Sequence, residues 1–156
     1  MASLKKKIFV TGGYGFVGSR LIEKLDAHFT NSTIICFDKM TYAASFSNLD
    51  KKLLKNEFIF IKGDVVNFDK LLRLTKDVDY IINCCAESHV DKSFNSSLAF
   101  MNTNIIGSRN IFECARVNNI TKTIQISTDE VFGEVIKGSA NEDSKLFPTN
   151  PYSASK

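Results

Sequence analysis

The feature that most constrains this chain is a glycine-rich turn between an apolar run and an amphipathic segment. Residues 10–25 read VTGGYGFVGSRLIEKL, and the three spaced glycines are Gly12, Gly15 and Gly18. The apolar run before the turn predicts a buried strand, and the helical spacing of apolar residues from Phe16 to Leu25 predicts a helix. A strand that passes through a tight turn into a helix is the building unit of a parallel α/β sheet.

The same alternation recurs along the rest of the chain. Short apolar runs bounded by turn residues occupy positions 8–10, 33–37, 58–61, 80–84 and 123–126. Between them, segments 68–74 and 98–115 again carry apolar residues at helical spacing. The pattern predicts a doubly wound parallel sheet with right-handed crossovers. We expect this sheet to be truncated after its fifth strand, because the next helix begins only near residue 151.

Composition and charge exclude several classes of protein. The formal charge of +3 is spread along the chain, which argues against nucleic-acid binding. No apolar stretch approaches the roughly 20 residues that span a bilayer, and the N-terminus lacks the pattern of a signal peptide, so we expect a cytoplasmic protein without a membrane span. The four cysteines lack CxxC spacing, which favours reduced structural thiols; with two histidines, little is available to build a metal site.

The glycine-rich turn is suited to bind a dinucleotide, as in a Rossmann fold. Without side chains at Gly12, Gly15 and Gly18, the backbone can approach a pyrophosphate, and the helix N-terminus offers unpaired N–H groups. Asp38 follows Gly18 by twenty residues. A carboxylate there accepts hydrogen bonds from ribose hydroxyls and repels a 2′-phosphate, which favours NAD over NADP even beside Lys39. The alternative is a merely tight turn, with Asp38 as a helix cap.

Two further segments carry groups suited to catalysis. Thr128, Asp129 and Glu130 follow the fifth strand, and doubly wound folds bind ligands at the carboxyl ends of strands. Tyr152 and Lys156 stand one helical turn apart. A phenol, with an ordinary pKa of about 10, acts as a base at neutral pH when a neighbouring cation favours the phenolate. The alternative is a solvated acidic loop and a chance Tyr-Lys spacing.

Together these residues resemble the extended short-chain dehydrogenase/reductase family, and within it the nucleotide-sugar 4,6-dehydratases. The similar segments run through almost the whole chain; they are VTGGYGFVGS, FDKMTYA, KGDV, AESHVDKS, STDEVFG and NPYSASK. The pair Asp129 and Glu130 indicates the dehydratase branch, since epimerases and decarboxylases of the superfamily generally carry a different pair. Cys85 and Phe132 depart from the family, which usually has alanine and tyrosine at these positions.

The resemblance implies an enzyme that binds NAD and a nucleotide-sugar. Tyr152, activated by Lys156, would take the proton of the sugar C4 hydroxyl while Thr128 hydrogen-bonds that oxygen. Glu130 would remove the C5 proton, and Asp129 would protonate the departing C6 hydroxyl. His89 is implied near the sugar, although the residues alone leave a buried structural histidine equally open. The implied cofactor contacts are Gly12, Gly15, Phe16, Val17, Gly18, Asp38, Lys39, Thr41, Asp64, Val65, Ala86, Ser88, Thr103, Tyr152 and Lys156.

The resemblance also bears on the extent and assembly of the protein. Family members continue beyond the Tyr-Lys motif, so we expect residues 1–156 to be an N-terminal fragment: an NAD-binding domain without its C-terminal substrate-binding portion, inactive by itself. Relatives usually form homodimers through the helix near Tyr152 and the one over residues 98–115. Two other functions stay open, namely another nucleotide-sugar enzyme such as a UDP-sugar 4-epimerase, and a noncatalytic dinucleotide-binding module. The sequence does not decide between a dTDP and a UDP substrate.

Overall fold

A computed structural model of the protein describes residues 5–156. The strands formed by these residues are β1 (Lys6–Thr11), β2 (Ser32–Asp38), β3 (Glu57–Lys62), β4 (Tyr80–Asn83) and β5 (Lys122–Gln125). They pair in parallel, in the order β3-β2-β1-β4-β5. The order reverses between β1 and β4, which is the arrangement of a doubly wound Rossmann-like sheet and confirms the predicted fold class.

Helices connect β1 to β2, β3 to β4 and β4 to β5, whereas only two short 3-10 helices, Phe46–Asn48 and Lys51–Leu53, lie between β2 and β3. The α-helices pack against the sheet. They are α1 (Phe16–His28), α2 (Phe68–Leu74), α3 (Val90–Asn95), α4 (Ser97–Phe100), α5 (Ser108–Val117) and α6 (Pro151–Ala154). A π-helical segment, Met101–Gly107, joins α4 to α5, so residues 97–117 form one continuous helical stretch where a long helix was predicted. In residues 5–156, no helix has both the length and the apolar character needed to cross a membrane.

The core lies in two layers, one on each face of the sheet. Side chains of β1 alternate between them: Ile8 and Val10 pack under α1, whereas Phe9 packs toward α2 and α5. The inner strands β2, β1 and β4 are buried on both faces, as their continuous apolar runs predict. The outer strands β3 and β5 instead combine exposed and half-buried residues, because each has a neighbouring strand on only one side.

Much of the apolar pattern that predicted the long helix lies outside the core. The buried side of this helical stretch is formed by Phe100, Ile111 and Cys114, together with polar Asn104 and Asn110. On the opposite side, four large apolar residues are 44–67% exposed: Leu98, Met101, Ile105 and Phe112. The spacing therefore predicted the secondary structure correctly, but packing against the sheet buries only part of the apolar surface.

Candidate active site

The glycine-rich turn lets the start of α1 lie close to the ends of β1 and β4. Gly12 adopts a positive φ of 66°, and a Cβ there would lie 2.8 Å from the backbone of Cys85, so this position requires glycine on both counts. A Cβ on Gly18 would collide with the carbonyl oxygen of Gly12. The absence of side chains at these two positions is therefore what allows the helix to pack against the turn.

The N-terminus of α1 is open to a ligand. Its N-cap is Gly15, and no side chain caps the first turn. The first N–H groups of a helix have no partner within the helix, and the helix dipole places positive charge at the same end. Phe16 and Val17 begin this turn with their side chains largely exposed. The turn can therefore supply backbone donors to an anion such as a pyrophosphate.

A cleft opens beside the turn. Its lining comes from the carboxyl ends of β1, β2, β3 and β4 and from the π-helical segment. The predicted cofactor residues among the lining are Gly12, Gly15, Asp38, Lys39, Thr41, Asp64, Val65, Ala86 and Thr103. Residues far apart in the sequence meet here because the ends of parallel strands share one edge of the sheet.

Asp38 is held at the edge of this cleft by backbone donors. Its carboxylate accepts hydrogen bonds from the N–H of Tyr14 at 2.9 Å and from the N–H of Met40 at 2.7 Å, and the residue is only 7% exposed. Neither donor belongs to a helix, so Asp38 does not act as the helix cap that the sequence left open. An ionised carboxylate has about four acceptor sites, which leaves capacity for ribose hydroxyls.

An ion pair lies at the other side of the cleft. Lys39 Nζ approaches the Asp64 carboxylate to 2.7 Å, between the loops that follow β2 and β3. The lysine side chain is 59% exposed, so solvent screens the pair and it contributes little to stability. Both charges consequently remain accessible to a ligand in the cleft.

The loop after β4 carries the predicted contacts Ser88 and His89. Both are exposed, which excludes the buried structural histidine that the sequence left open. The His89 imidazole stacks on the ring of Tyr42, with 5.5 Å between ring centroids. His89 is therefore held near the loop that follows β2, whose residue Thr41 lines the cleft.

Thr128, Asp129 and Glu130 form a short turn after β5. The Thr128 hydroxyl accepts a hydrogen bond from the N–H of Glu130 and lies 3.3 Å from the Asp129 carboxylate. The side-chain amide of Asn150 donates to Glu130 at 2.9 Å. The two acids line a second cleft, next to the loop that begins at Gly133. The acidic pair is thus connected to the start of α6, where Tyr152 lies.

Helix α6 begins with a complete capping box. The Asn150 side chain accepts from the N–H of Ser153, and the Ser153 hydroxyl in turn accepts from the N–H of Asn150. Tyr152 is buried, with its ring edge-on to Phe100. Within residues 5–156 its hydroxyl makes no hydrogen bond, to Lys156 or to any other group.

Lys156 connects α6 to the cofactor cleft. Its ammonium donates to the carbonyl oxygen of Ile126 at 2.7 Å, and burial lowers the pKa of Lys156 from its ordinary value. Burial raises the pKa of Cys84 and Cys85, which line the cleft, and the charge of Lys156 acts in the opposite direction on both thiols. The ammonium is therefore within electrostatic range of the cleft.

Asn104 is a site residue that sequence reasoning missed. Its side chain exchanges two hydrogen bonds with the backbone of Glu87, at 2.8 and 2.9 Å, and donates to the Ser155 hydroxyl at 2.8 Å. This buried amide thus joins the loop after β4 to α6 through the π-helical segment. The sequence does show that Asn104 is a polar residue on the helix face that also carries Phe100 and Ile111. This indicates a special role only once that face is known to be buried.

Known proteins with this architecture were compared with the chain. The model of the GDP-mannose 4,6 dehydratase family matches residues 9–156. The dTDP-D-glucose 4,6-dehydratase of Dictyostelium discoideum is 39% identical over 164 residues, covering 97% of this chain and 38% of that protein. The low-salt glycan biosynthesis protein Agl12 of Haloferax volcanii is 39% identical over 149 residues, covering 96% of this chain and 48% of that protein.

A solved structure has the same fold. DesIV, a dTDP-glucose 4,6-dehydratase from Streptomyces venezuelae crystallised with NAD, superposes with a TM-score of 0.88 at 35% identity, covering 96% of this chain and 48% of that one. The chain thus spans about half, or less, of the length of the relatives that it matches. It belongs to the GDP-mannose 4,6 dehydratase family of nucleotide-sugar short-chain dehydrogenases/reductases, as its motifs predicted.

Proposed function

We propose that the whole protein is a cytoplasmic NAD-dependent nucleotide-sugar 4,6-dehydratase, a lyase that converts dTDP-glucose or UDP-glucose to the 4-keto-6-deoxy sugar. Residues 1–156 are its NAD-binding domain. The observation that carries the proposal is that the segment around α6 joins the acidic pair after β5 to the cofactor cleft. At one end Asn150 donates to Glu130, and at the other Ser155 accepts from Asn104, which bonds Glu87 in the lining of the cleft. The dTDP-glucose dehydratases of Dictyostelium and Streptomyces support the same substrate class.

The chemistry of the cleft fits NAD. The backbone of the glycine turn and the first turn of α1 would hold the pyrophosphate, and Asp38 would accept hydrogen bonds from the adenosine ribose. Asp64 and Val65 line the same cleft and would contact the adenine. When bound, the cofactor would supply the hydride acceptor for oxidation at the sugar C4 and the hydride donor for reduction at C6. These residues select the cofactor and fix its orientation, while the side chains at the other end of the cleft move protons.

Tyr152 and Lys156 act on the C4 hydroxyl. Tyr152 takes its proton, and Thr128 hydrogen-bonds the same oxygen. An ammonium has three donor hydrogens, and the Ile126 carbonyl uses one of them, so Lys156 retains two for the nicotinamide ribose and the phenol. The proposal assigns Lys156 as the cation that assists Tyr152 as the base at C4.

Asp129 and Glu130 eliminate water from the oxidised sugar. A ketone at C4 acidifies the neighbouring C5 proton, which Glu130 removes. Asp129, in its protonated form, donates to the departing C6 hydroxyl. The hydrogen bond from Asn150 fixes Glu130, whereas Asp129 is exposed at the second cleft. The proposal thus assigns the base to the carboxyl that Asn150 holds and the acid to its exposed neighbour.

The test is to incubate the whole protein separately with dTDP-glucose and UDP-glucose and to follow the sugar by mass spectrometry. We expect a product that has lost water, whereas a 4-epimerase returns an isomer of unchanged mass and a noncatalytic module leaves both sugars intact. Residues 1–156 alone are expected to give no turnover. Appreciable dehydration by residues 1–156 alone, or an isomer as the product, would contradict the proposal.

A substitution separates the two chemical steps. Glu130→Gln keeps the hydrogen-bonding shape but removes the base, so reduced cofactor should accumulate while water loss stops. Glu134→Gln is the matched control, since Glu134 is exposed on the loop that follows the same turn. Unchanged turnover in Glu130→Gln would remove the assigned role of this residue.

The exposed apolar side of the long helical stretch supports a homodimer. Leu98, Met101, Ile105 and Phe112 lie along it, and contiguous apolar surface of this kind is typical of protein interfaces. Ile105→Glu places a charge at the centre of this side and should shift the protein to a monomer in light scattering. A wild-type protein that is monomeric at all concentrations would contradict the dimer.

A further inference from the structure

A cluster of four side chains joins two loops at the mouth of the cofactor cleft. The Tyr42 hydroxyl donates a hydrogen bond to Glu87 Oε2 at 3.0 Å. The ring of Tyr42 stacks on His89, with an interplanar angle of 25°, and Lys92 Nζ lies 3.9 Å from the centre of the same ring. We refer to Tyr42, Glu87, His89 and Lys92 as the Tyr42 cluster.

The Tyr42 cluster joins the two loops that flank the glycine-rich turn. Tyr42 belongs to the loop after β2, and the other three residues belong to the segment after β4. In the sheet, β1 lies between β2 and β4, and the turn follows β1. The two loops therefore stand on either side of the turn. Thr41 and Ala43, the neighbours of Tyr42, line the cleft, and so does Glu87.

One side of the cluster is firmly held. The N–H and the carbonyl of Glu87 both bond to the buried side chain of Asn104, which also donates to the Ser155 hydroxyl. Ser155 in turn donates to the carbonyl of Tyr152 at 2.6 Å. The loop after β4 is thus fixed to the helix that carries the predicted base, and Tyr42 connects the loop after β2 to this fixed point.

The phenol of Tyr42 is suited to a lasting contact. Tyr42 is 56% exposed, but partial burial of its phenol and the adjacent Glu87 carboxylate raise the pKa of Tyr42 to about 12, so the hydroxyl keeps its proton and donates at neutral pH. An ammonium close to an aromatic ring adds a cation–π attraction. The ring therefore interacts with three groups of the opposite loop at once.

We propose that Tyr42 is a positioning residue, which holds the loop after β2 against the loop after β4 across a bound dinucleotide and keeps His89 beside the cofactor. Loss of the contact should speed release of the cofactor and disconnect His89 from it. Only the role of His89 toward the sugar rests on the proposed function, because cofactor release is measured without turnover.

The first test measures the rate at which NADH leaves the protein. Tyr42→Phe keeps the ring and removes the hydroxyl, whereas Tyr42→Leu removes both. We expect release to accelerate a few-fold in Tyr42→Phe and about tenfold in Tyr42→Leu, because the lost hydrogen bond and ring contacts together are worth roughly one power of ten. Phe94→Leu is the matched control, since Phe94 is an exposed aromatic residue of α3 that does not line the cleft.

The second test follows the imidazole NMR resonances of the two histidines. If Tyr42 served only to stabilise the fold, its loss would not change how these resonances respond to NADH. The chain has two histidines, and His28 lies at the opposite end of α1 from the glycine turn, which makes it an internal reference. In the wild type, NADH should shift the resonances of His89 and leave those of His28 in place. In Tyr42→Leu the response of His89 to NADH should be lost.

The two tests decide between distinct outcomes. Wild-type rates of NADH release in both Tyr42 variants, or a wild-type response of His89 in Tyr42→Leu, would overturn the inference. If Tyr42→Leu fails to fold, Tyr42→Phe and Glu87→Gln decide it, since both disturb the same hydrogen bond without removing the ring. Failure of the wild type to bind NADH would overturn the cofactor site itself and this inference with it.

Discussion

The N–H of Tyr14 donates a 2.9 Å hydrogen bond to the carboxylate of Asp38, which ties the glycine-rich turn to the end of β2. The second donor, the N–H of Met40, also belongs to the backbone. The position of this negative charge is therefore set by the fold and not by a partner side chain. A charge held in this way repels a phosphate on the ribose and accepts hydrogen bonds from its hydroxyls.

Replacing Asp38 should change which cofactor is preferred. Asp38→Asn keeps the shape but removes the charge and one acceptor oxygen, so we expect NADH binding to weaken about tenfold and its advantage over NADPH to shrink, since a charged hydrogen bond is worth about 1.5–3 kcal/mol. Fluorescence titrations with both nucleotides measure this. Asp64→Asn, at the other side of the cleft, should keep the preference for NADH. An unchanged ratio in Asp38→Asn would contradict the assignment.

Alanine at two glycines should have different consequences. Gly18→Ala forces a Cβ into the carbonyl oxygen of Gly12, and we expect a loss of about 1–3 kcal/mol in the free energy of unfolding, typical of overpacking. A Cβ on Gly15 would lie 3.2 Å from the same oxygen, which small shifts accommodate. Gly15→Ala should therefore keep most of the stability and instead weaken NADH binding. Urea unfolding measures the stability of both variants. Equal losses in the free energy of unfolding would contradict this distinction.

Asp26 should contribute stability that depends on pH. Burial alone raises its pKa, but N–H donors of Lys55 and Asn56 outweigh burial and lower it overall. A carboxyl whose folded pKa lies below its unfolded pKa stabilises the protein fully above the unfolded value, about 3.9, and loses this contribution as the pH falls through the folded value. The stabilisation is thus present at neutral pH and lost in acid.

The corresponding variant is Asp26→Ala. It leaves part-buried N–H donors of Lys55 and Asn56 without their acceptor, so we expect a loss of about 1–2 kcal/mol at pH 7 and a smaller loss below pH 4. Asp143→Ala, at an exposed loop position, is the control. A stability difference between wild type and Asp26→Ala that stays constant from pH 7 to pH 3 would refute the expected linkage.

The thiols should be slow to react in the folded protein. Burial raises the pKa of Cys36 and Cys85 to about 12 and that of Cys84 to about 11, which leaves little thiolate at pH 8. Iodoacetamide followed by mass spectrometry should label these residues far more slowly in the native than in the unfolded protein. NADH should slow Cys84 and Cys85 further, because they line the cleft, and leave Cys36 unchanged. Native labelling as fast as in urea would contradict this.

The elements that sequence reasoning predicted well are those with local signals. The five predicted strands are all present, with ends shifted by at most two residues, because each apolar run is short and bounded by turn residues. The position of Gly12 and Gly18 between a strand and a helix predicted a tight turn. The structure gives the reason for glycine there, since a Cβ at either position would collide with backbone atoms. The pattern did not predict which face of the long helix packs against the sheet. Leu98 and Phe112 belong to the apolar pattern that predicted the helix, yet both are exposed.

The candidate cofactor cleft could be predicted from the sequence where a strand end carries the relevant residue. Asp38 follows from its distance to the glycine turn and its place after β2. Asn104 and Tyr42 do not, since their partners are distant in sequence and their roles depend on which loops the sheet order brings together. Likewise, the hydrogen bond from Asn150 to Glu130 becomes visible only in the folded chain.

The central claim is that the cleft between the glycine turn, Asp38 and Asp64 binds NAD. Its most direct test is an amide NMR titration of residues 1–156 with NAD. We predict saturable shifts at Gly12–Gly18, Asp38–Thr41 and Asp64–Val65, with no change along the exposed loop at 134–145. Shifts confined to other surfaces, or none at millimolar NAD, would contradict the account.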